Sequence, residues 1–158
     1  MKKSLLAILL ATPAFACQEA PPQTTPFTSL ERGWSSNYHK RDNLVFTNQK
    51  TWETHYKTVH GEKVPAVNFN KETVLAVYMG MKSNPGYSVE IKEVRTFPPS
   101  LDVLVENHYP ETGKIYPEVI ASPYHLVKVE KTTKSVVWTY IPADSEGTTV
   151  CPKPPAEK

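Results

Sequence analysis

Five histidines and two cysteines offer this chain most of its potential chemistry, and their spacing limits what they can do. His55 and His60 stand five residues apart, about 140° around a helix, so they do not make the i, i+4 pair that holds a metal on one helical face. His39 and His108 have no partner at ligand spacing. His125 alternates in register with Val127 and Val129, which places it on an apolar strand face as a hydrogen-bonded core histidine. Without a cluster of Cys, His or Asp, no metal site and no cofactor is predicted.

Covalent catalysis is equally poorly served. Both cysteines lie near the ends of the chain, and each has a structural or anchoring use that competes with a catalytic one. No Gly-x-Ser-x-Gly elbow and no phosphate-binding glycine loop is present among six scattered glycines. Glu90, Asp102 and Glu106 fall on outward strand positions, where solvation is the ordinary explanation. An enzyme would need His108 and His125 brought together by the fold alone. The residues therefore favour a non-catalytic protein.

The N-terminus reads as an export signal. Lys2 and Lys3 precede an apolar run from Leu5 to Ala11, and Ala14-Phe15-Ala16 gives a small-x-small cleavage site. The run is too short for a transmembrane helix, so no transmembrane span is expected in the mature chain. Removing residues 1–16 takes away two lysines and no acid, leaving 16 basic against 16 acidic residues. With no basic patch, nothing points to nucleic acid. Two readings of Cys17 stay open. It either bridges to Cys151 in an oxidising compartment, for roughly 4–5 kcal/mol by the chain-entropy model, or is the lipidated first residue of a tether. Either way the protein is exported, periplasmic or attached to the cell envelope.

The elements that must position these residues follow from periodicity. Residues 17–29 form a Pro/Thr-rich linker and 142–158 a polar, proline-broken tail, which leaves 30–141 as a single domain. Asn43 to Phe46 is a short strand. Asn48 then caps a helix carrying Trp52, Tyr56 and Val59 on one face, closed by His60-Gly61. Thr73 to Met81 is a continuous apolar run with β-branched residues, as in a strand buried on both faces. Alternation marks further strands at Tyr87–Ile91, Leu101–Glu106, His125–Glu130 and Val136–Ile141. The short links Lys82–Gly86 and Phe97–Ser100 predict antiparallel hairpins, and the longer Pro110–Pro123 link an edge-covering loop or lid. The expected class is α+β: one short helix packed on a mainly antiparallel meandering sheet of about five to six strands.

Asn84-Pro85-Gly86 has the residues of a type II turn, with Pro85 fixing its own φ and Gly86 able to take φ > 0. By residues alone a hairpin turn leading into Tyr87 outweighs a rim aromatic offered to a partner. The order of motifs resembles the C-terminal domain family of the PrcB protease-complex subunit. "TWETHYKTVHG" is similar to its Trp-bearing helix, "VNFNKETVLAVYMGMKSNPGYSVEIKEV" to its strand, Gly-Tyr turn and strand, and "ASPYHLVKVEK" to its closing Ser-Pro-Tyr strand. Pro85 stands where the family commonly has a glycine. The resemblance implies a non-catalytic accessory subunit of an exported protease, with no catalytic residues to carry over. The expected contact residues are Asn84, Pro85, Gly86, Tyr87, Tyr109, Tyr116 and Tyr124, since aromatics dominate interfaces. The rival reading is a secreted protease inhibitor that offers the stiff Asn84-Pro85-Gly86 loop to a cleft.

Overall fold

The computed structural model describes residues 23–142. Their elements in chain order are β1 (Gln23–Thr24), β2 (Phe27–Gly33), β3 (Arg41–Phe46), α1 (Gln49–Val59), β4 (Glu72–Met79), β5 (Ser88–Phe97), β6 (Ser100–His108), β7 (Tyr124–Glu130) and β8 (Ser135–Pro142). The strands divide into two four-stranded sheets, ordered β1-β5-β6-β8 and β2-β7-β4-β3. Every neighbouring pair is antiparallel except β6 and β8. Cys17, Cys151, the signal segment and the C-terminal tail lie outside the described residues.

Two apolar clusters sit on opposite faces of the β4-containing sheet. On one face Leu75, Val77 and Met79 of β4 join Val127 and Val129 of β7 against Val89, Ile91, Val103 and Val105 of the other sheet. On the other, Val74, Ala76, Tyr78 and Leu126 pack under Trp52, Tyr56 and Val59 of α1. The layers are therefore helix, sheet, sheet. The double-sided run of β4 follows from this, since a middle layer has no wet face. The helix begins where the sequence indicates: Asn48 Oδ1 accepts from Thr51 N–H at 3.0 Å. It ends at His60 and Gly61, whose N–H groups both donate to the Tyr56 carbonyl while Gly61 takes φ 108°.

The α+β class stands, but the strands number eight and form a two-sheet sandwich in place of one meander. The first difference is β1 and β2, which occupy part of the segment assigned to the linker. In β2 the register shifts between Ser29 and Glu31 as it pairs with β7. That bulge at Leu30 breaks the apolar–polar alternation by which a strand is recognised. The second difference is the link from β4 to β5. These strands belong to different sheets, so Lys82–Gly86 is a crossing between layers and not a hairpin turn. Gly86 is absent from the residues with positive φ, and its N–H donates to Asn84 Oδ1 at 3.0 Å in an Asx turn. The β5–β6 link does form the expected hairpin.

His125 joins the two sheets. It lies on β7, only 4% exposed, and its Nδ1 accepts the Ile91 backbone N–H of β5 at 2.8 Å. With Nδ1 accepting, the neutral ring carries its proton on Nε2, which donates to Ser29 Oγ of β2 at 2.9 Å. Both partners flank bulges, Ser29 the one in β2 and Ile91 the one at Lys92 in β5. One imidazole thus satisfies groups on two bulged strands of two sheets. Burial, and secondarily Arg32, pushes the pKa of His125 down from 6.5 to about 4, with Glu90 opposing.

An unfolded chain takes up this proton below about pH 6.5, whereas the folded one resists until about pH 4. The stabilisation is therefore complete above pH 6.5 and is lost as pH falls through that window. His125→Leu is expected to lose about 1–3 kcal/mol by stranding the Ile91 N–H and to flatten, without abolishing, the acid slope of stability. His55 and His60, also shifted down, retain the remainder. Urea unfolding between pH 4 and 8 measures both effects; equal slopes in the two proteins would refute the assignment.

Candidate protein-binding surface

One end of the sandwich collects most of the exposed large apolar side chains among the described residues. β2 ends there and β3 begins, β4 ends and β5 begins, and β6 ends and β7 begins. The loops at this end carry Trp34, Met81, Tyr109, Ile115, Val119 and Ile120, six of the eight large exposed hydrophobics among the described residues; Ile115 is 94% exposed. Backbone pairs tie these loops together. Lys82 and Ala121 form an antiparallel bridge, Ser122 N–H donates to the Trp34 carbonyl at 3.0 Å, and Met81 N–H to the His39 carbonyl at 3.2 Å. The 109–123 segment, expected as an edge-covering loop, is thereby moored across the end of the sandwich.

Six of the seven contact residues expected from sequence meet here. The Tyr87 and Tyr109 rings stand edge-on at 6.1 Å, and Lys82 Nζ lies 5.5 Å from the Tyr87 ring centre. Tyr116 folds back over Gly86. A Cβ built on Gly86 would sit 2.8 Å from Tyr116 Cε1 and 2.9 Å from Asn84 Oδ1. Gly86 is therefore favoured by close approach to the Tyr116 ring, not by the positive φ its sequence suggested. Asn84, Pro85 and Gly86 are each half-buried. The Tyr116 hydroxyl also accepts the Glu111 N–H at 3.3 Å.

Tyr124 is the exception. It is 5% exposed and points under α1, so it cannot serve as a surface anchor. Its hydroxyl donates to Glu31 Oε1, and that of Tyr56 to Glu31 Oε2, both at 2.5 Å. Burial, then the Glu31 carboxylate, pushes both phenols up, Tyr56 to about 12. Alongside, His55 Nε2 and His60 Nε2 lie 2.9 and 3.0 Å from the single hydroxyl of Tyr78. The two histidines reach one hydroxyl although five residues apart, since α1 ends at Val59 and His60 is its cap. A phenol has one proton, so Tyr78 donates to one ring and accepts from the other. Burial lowers both imidazole pKa values and raises that of Tyr78. These contacts bind the helix to the sheet.

His108 and His125 do not form a pair. His125 is held between the sheets, whereas His108 lies on the outer face of the β5–β6 hairpin, with Nε2 3.7 Å from Glu90 Oε2 and 3.6 Å from Glu106 Oε2. Glu106 is not the solvated carboxylate its strand position suggested, since it is only 7% exposed. Sequence reasoning also passed over Trp34, Met81, Ile115, Val119 and Ile120 as surface residues. The available signal was "KIYPEVI", an apolar-rich stretch between prolines that fits no strand.

Gly86→Ala is expected to lift Tyr116 from the loop and speed amide exchange over residues 111–116. Global stability should change by about 1 kcal/mol or less, because Tyr116 lies at the surface. Hydrogen-exchange mass spectrometry distinguishes this from an unchanged loop, which would show that the Tyr116 contact holds nothing.

No curated protein and no solved structure matches the chain. The expected resemblance is met in its central part, and the Trp-bearing helix falls outside the matched segment. Residues 73–130, which run from β4 through β7 and include both the Asn84-Pro85-Gly86 crossing and the moored 109–123 loop, match the family model described as PrcB C-terminal.

Proposed function

We propose that this protein is an exported, non-catalytic binding module, an accessory or stabilising subunit of an envelope-associated protease. The observation that carries the reading is the apolar end of the sandwich. Six large hydrophobic side chains are concentrated on loops that backbone pairs hold in place. Scattered surface hydrophobics need no explanation, but a collection of this kind marks an interaction site. Pre-ordered loops also lose less entropy on association. The match to the PrcB C-terminal family supports a partner of this kind, since the resemblance is to a protease-complex subunit. The titratable clusters support the non-catalytic part: Glu31, His55, His60, Tyr78 and His125 engage one another or the backbone.

The inhibitor reading draws less support. An inhibitory loop must protrude into a cleft, yet Asn84, Pro85 and Gly86 are half-buried and Tyr116 lies against Gly86. The aromatics at this end, Tyr87, Tyr109 and Tyr116, are the contacts to test, together with Trp34 and Ile120.

Full-length protein recovered from the envelope fraction of the cells that make it should retain a protease in near-stoichiometric amount. Tyr109→Glu combined with Ile120→Glu should weaken that association at least tenfold, as expected for central interface positions, while leaving the melting temperature unchanged. A protease that stays bound to the double variant would remove this surface from the assignment. A protease that binds but loses its activity would favour the inhibitor.

A further inference from the structure

The outer face of the β5–β6 hairpin holds a donor set that the binding function does not use. Glu90 and Glu106 are directly opposed in the antiparallel register, and Ser88 and His108 form the next pair on the same face. Two carboxylates opposed in this way repel each other. One oxygen from each glutamate and the imidazole Nε2 of His108 nevertheless lie within 4.8 Å of one another. The His108 distances, 3.7 Å to Glu90 Oε2 and 3.6 Å to Glu106 Oε2, come close to the edges of a tetrahedron. Donors bound to zinc at 2.0–2.2 Å stand about 3.3–3.6 Å apart.

The second observation concerns satisfaction. His108 Nε2 is buried without a hydrogen-bond partner, and Glu106 Oε2, also buried, is met only by the Lys92 ammonium. The Glu106 side chain is only 9% exposed. Lys92 Nζ forms an ion pair with Glu106 Oε2 at 3.1 Å and lies 3.9 Å from Glu90 Oε2. Arg32 pairs with Glu90 at 2.8 Å from one side. The Lys92 ammonium thus acts as a tethered cation at the mouth of the carboxylate pair. It extends from the bulge of β5 on a half-exposed arm that can swing into solvent.

We propose that Glu90, Glu106 and His108 form a binding site for a divalent transition metal, Zn²⁺ by the mixture of two carboxylate oxygens and one imidazole nitrogen. Three protein donors leave a fourth position for water. The metal replaces Lys92 as the countercharge of the two glutamates and gives His108 Nε2 the partner it lacks. Arg32 keeps its place on Glu90. The site stands independently of the partner-binding reading.

Calorimetric titration of the full-length protein with zinc chloride tests the assignment. The expected result is a single saturable site whose occupation raises the melting temperature. His108→Gln, at a strand end and one-third exposed, should lower the affinity at least about tenfold while keeping the fold; near-UV circular dichroism checks the latter. Lys92→Gln should tighten binding, because the competing ammonium is gone. This outcome separates ligation from a structural role for the cluster. Absence of saturable binding, or a His108→Gln protein that takes zinc as the wild type does, would overturn the proposal.

Discussion

The architecture depends on how a strand with a bulge is satisfied when it lies at the seam between two sheets. A bulge interrupts the ladder and turns backbone groups away from the neighbouring strand. In the interior such a group must find another acceptor. His125 provides it for Ile91 and reaches Ser29 on β2 with its other nitrogen. The opposite seam is closed by polar side chains as well: the Tyr140 hydroxyl of β8 donates to Asn43 of β3, and Arg41 stacks over the Tyr140 ring at 4.7 Å. Two apolar sheets of valine and leucine could slide past one another. These directional contacts set their angle and depth.

The same logic governs the helix layer. Trp52 fills the space between α1 and the sheet, but the polar atoms define the seat of the helix. Glu31 gathers two phenols and Tyr78 gathers two imidazoles, each group supplying what its neighbour lacks. A cluster so rich in titratable residues resembles a catalytic site when read as a list. Its geometry shows hydrogen bonds converging on Glu31 and Tyr78 under a helix, held at high local cost in desolvation.

What could be read from the sequence depended on whether a local pattern survived its tertiary setting. β4 was legible because nine consecutive residues from Thr73 to Met81 contain little that water would favour. α1 was legible because its cap, aromatic face and closing glycine all lie within one stretch. β2 was hidden by the bulge at Leu30, and the Asn84-Pro85-Gly86 segment was misread because a turn and a crossing between sheets share the same residues. The candidate contact residues that lie in loops share one end of the sandwich, as their positions between strands imply. Tyr124 failed because the Ser-Pro-Tyr stretch starts a central strand, and which face a strand's first residue takes is decided by pairing. Glu90, Glu106 and His108 came together through cross-strand register, which single-sequence spacing does not reveal.

The parallel pairing of β6 and β8 has a consequence for how the chain acquires its shape. The first sheet draws its strands from residues 23–24, 88–108 and 135–142, so its outer members come from both ends of the described chain. The central hairpin can pair early, but its flank stays open until the last strand has been delivered. Such long-range closure makes for slow folding and a late commitment step. A chain of this topology completes its first sheet only once residues 135–142 are free to pair beside β6.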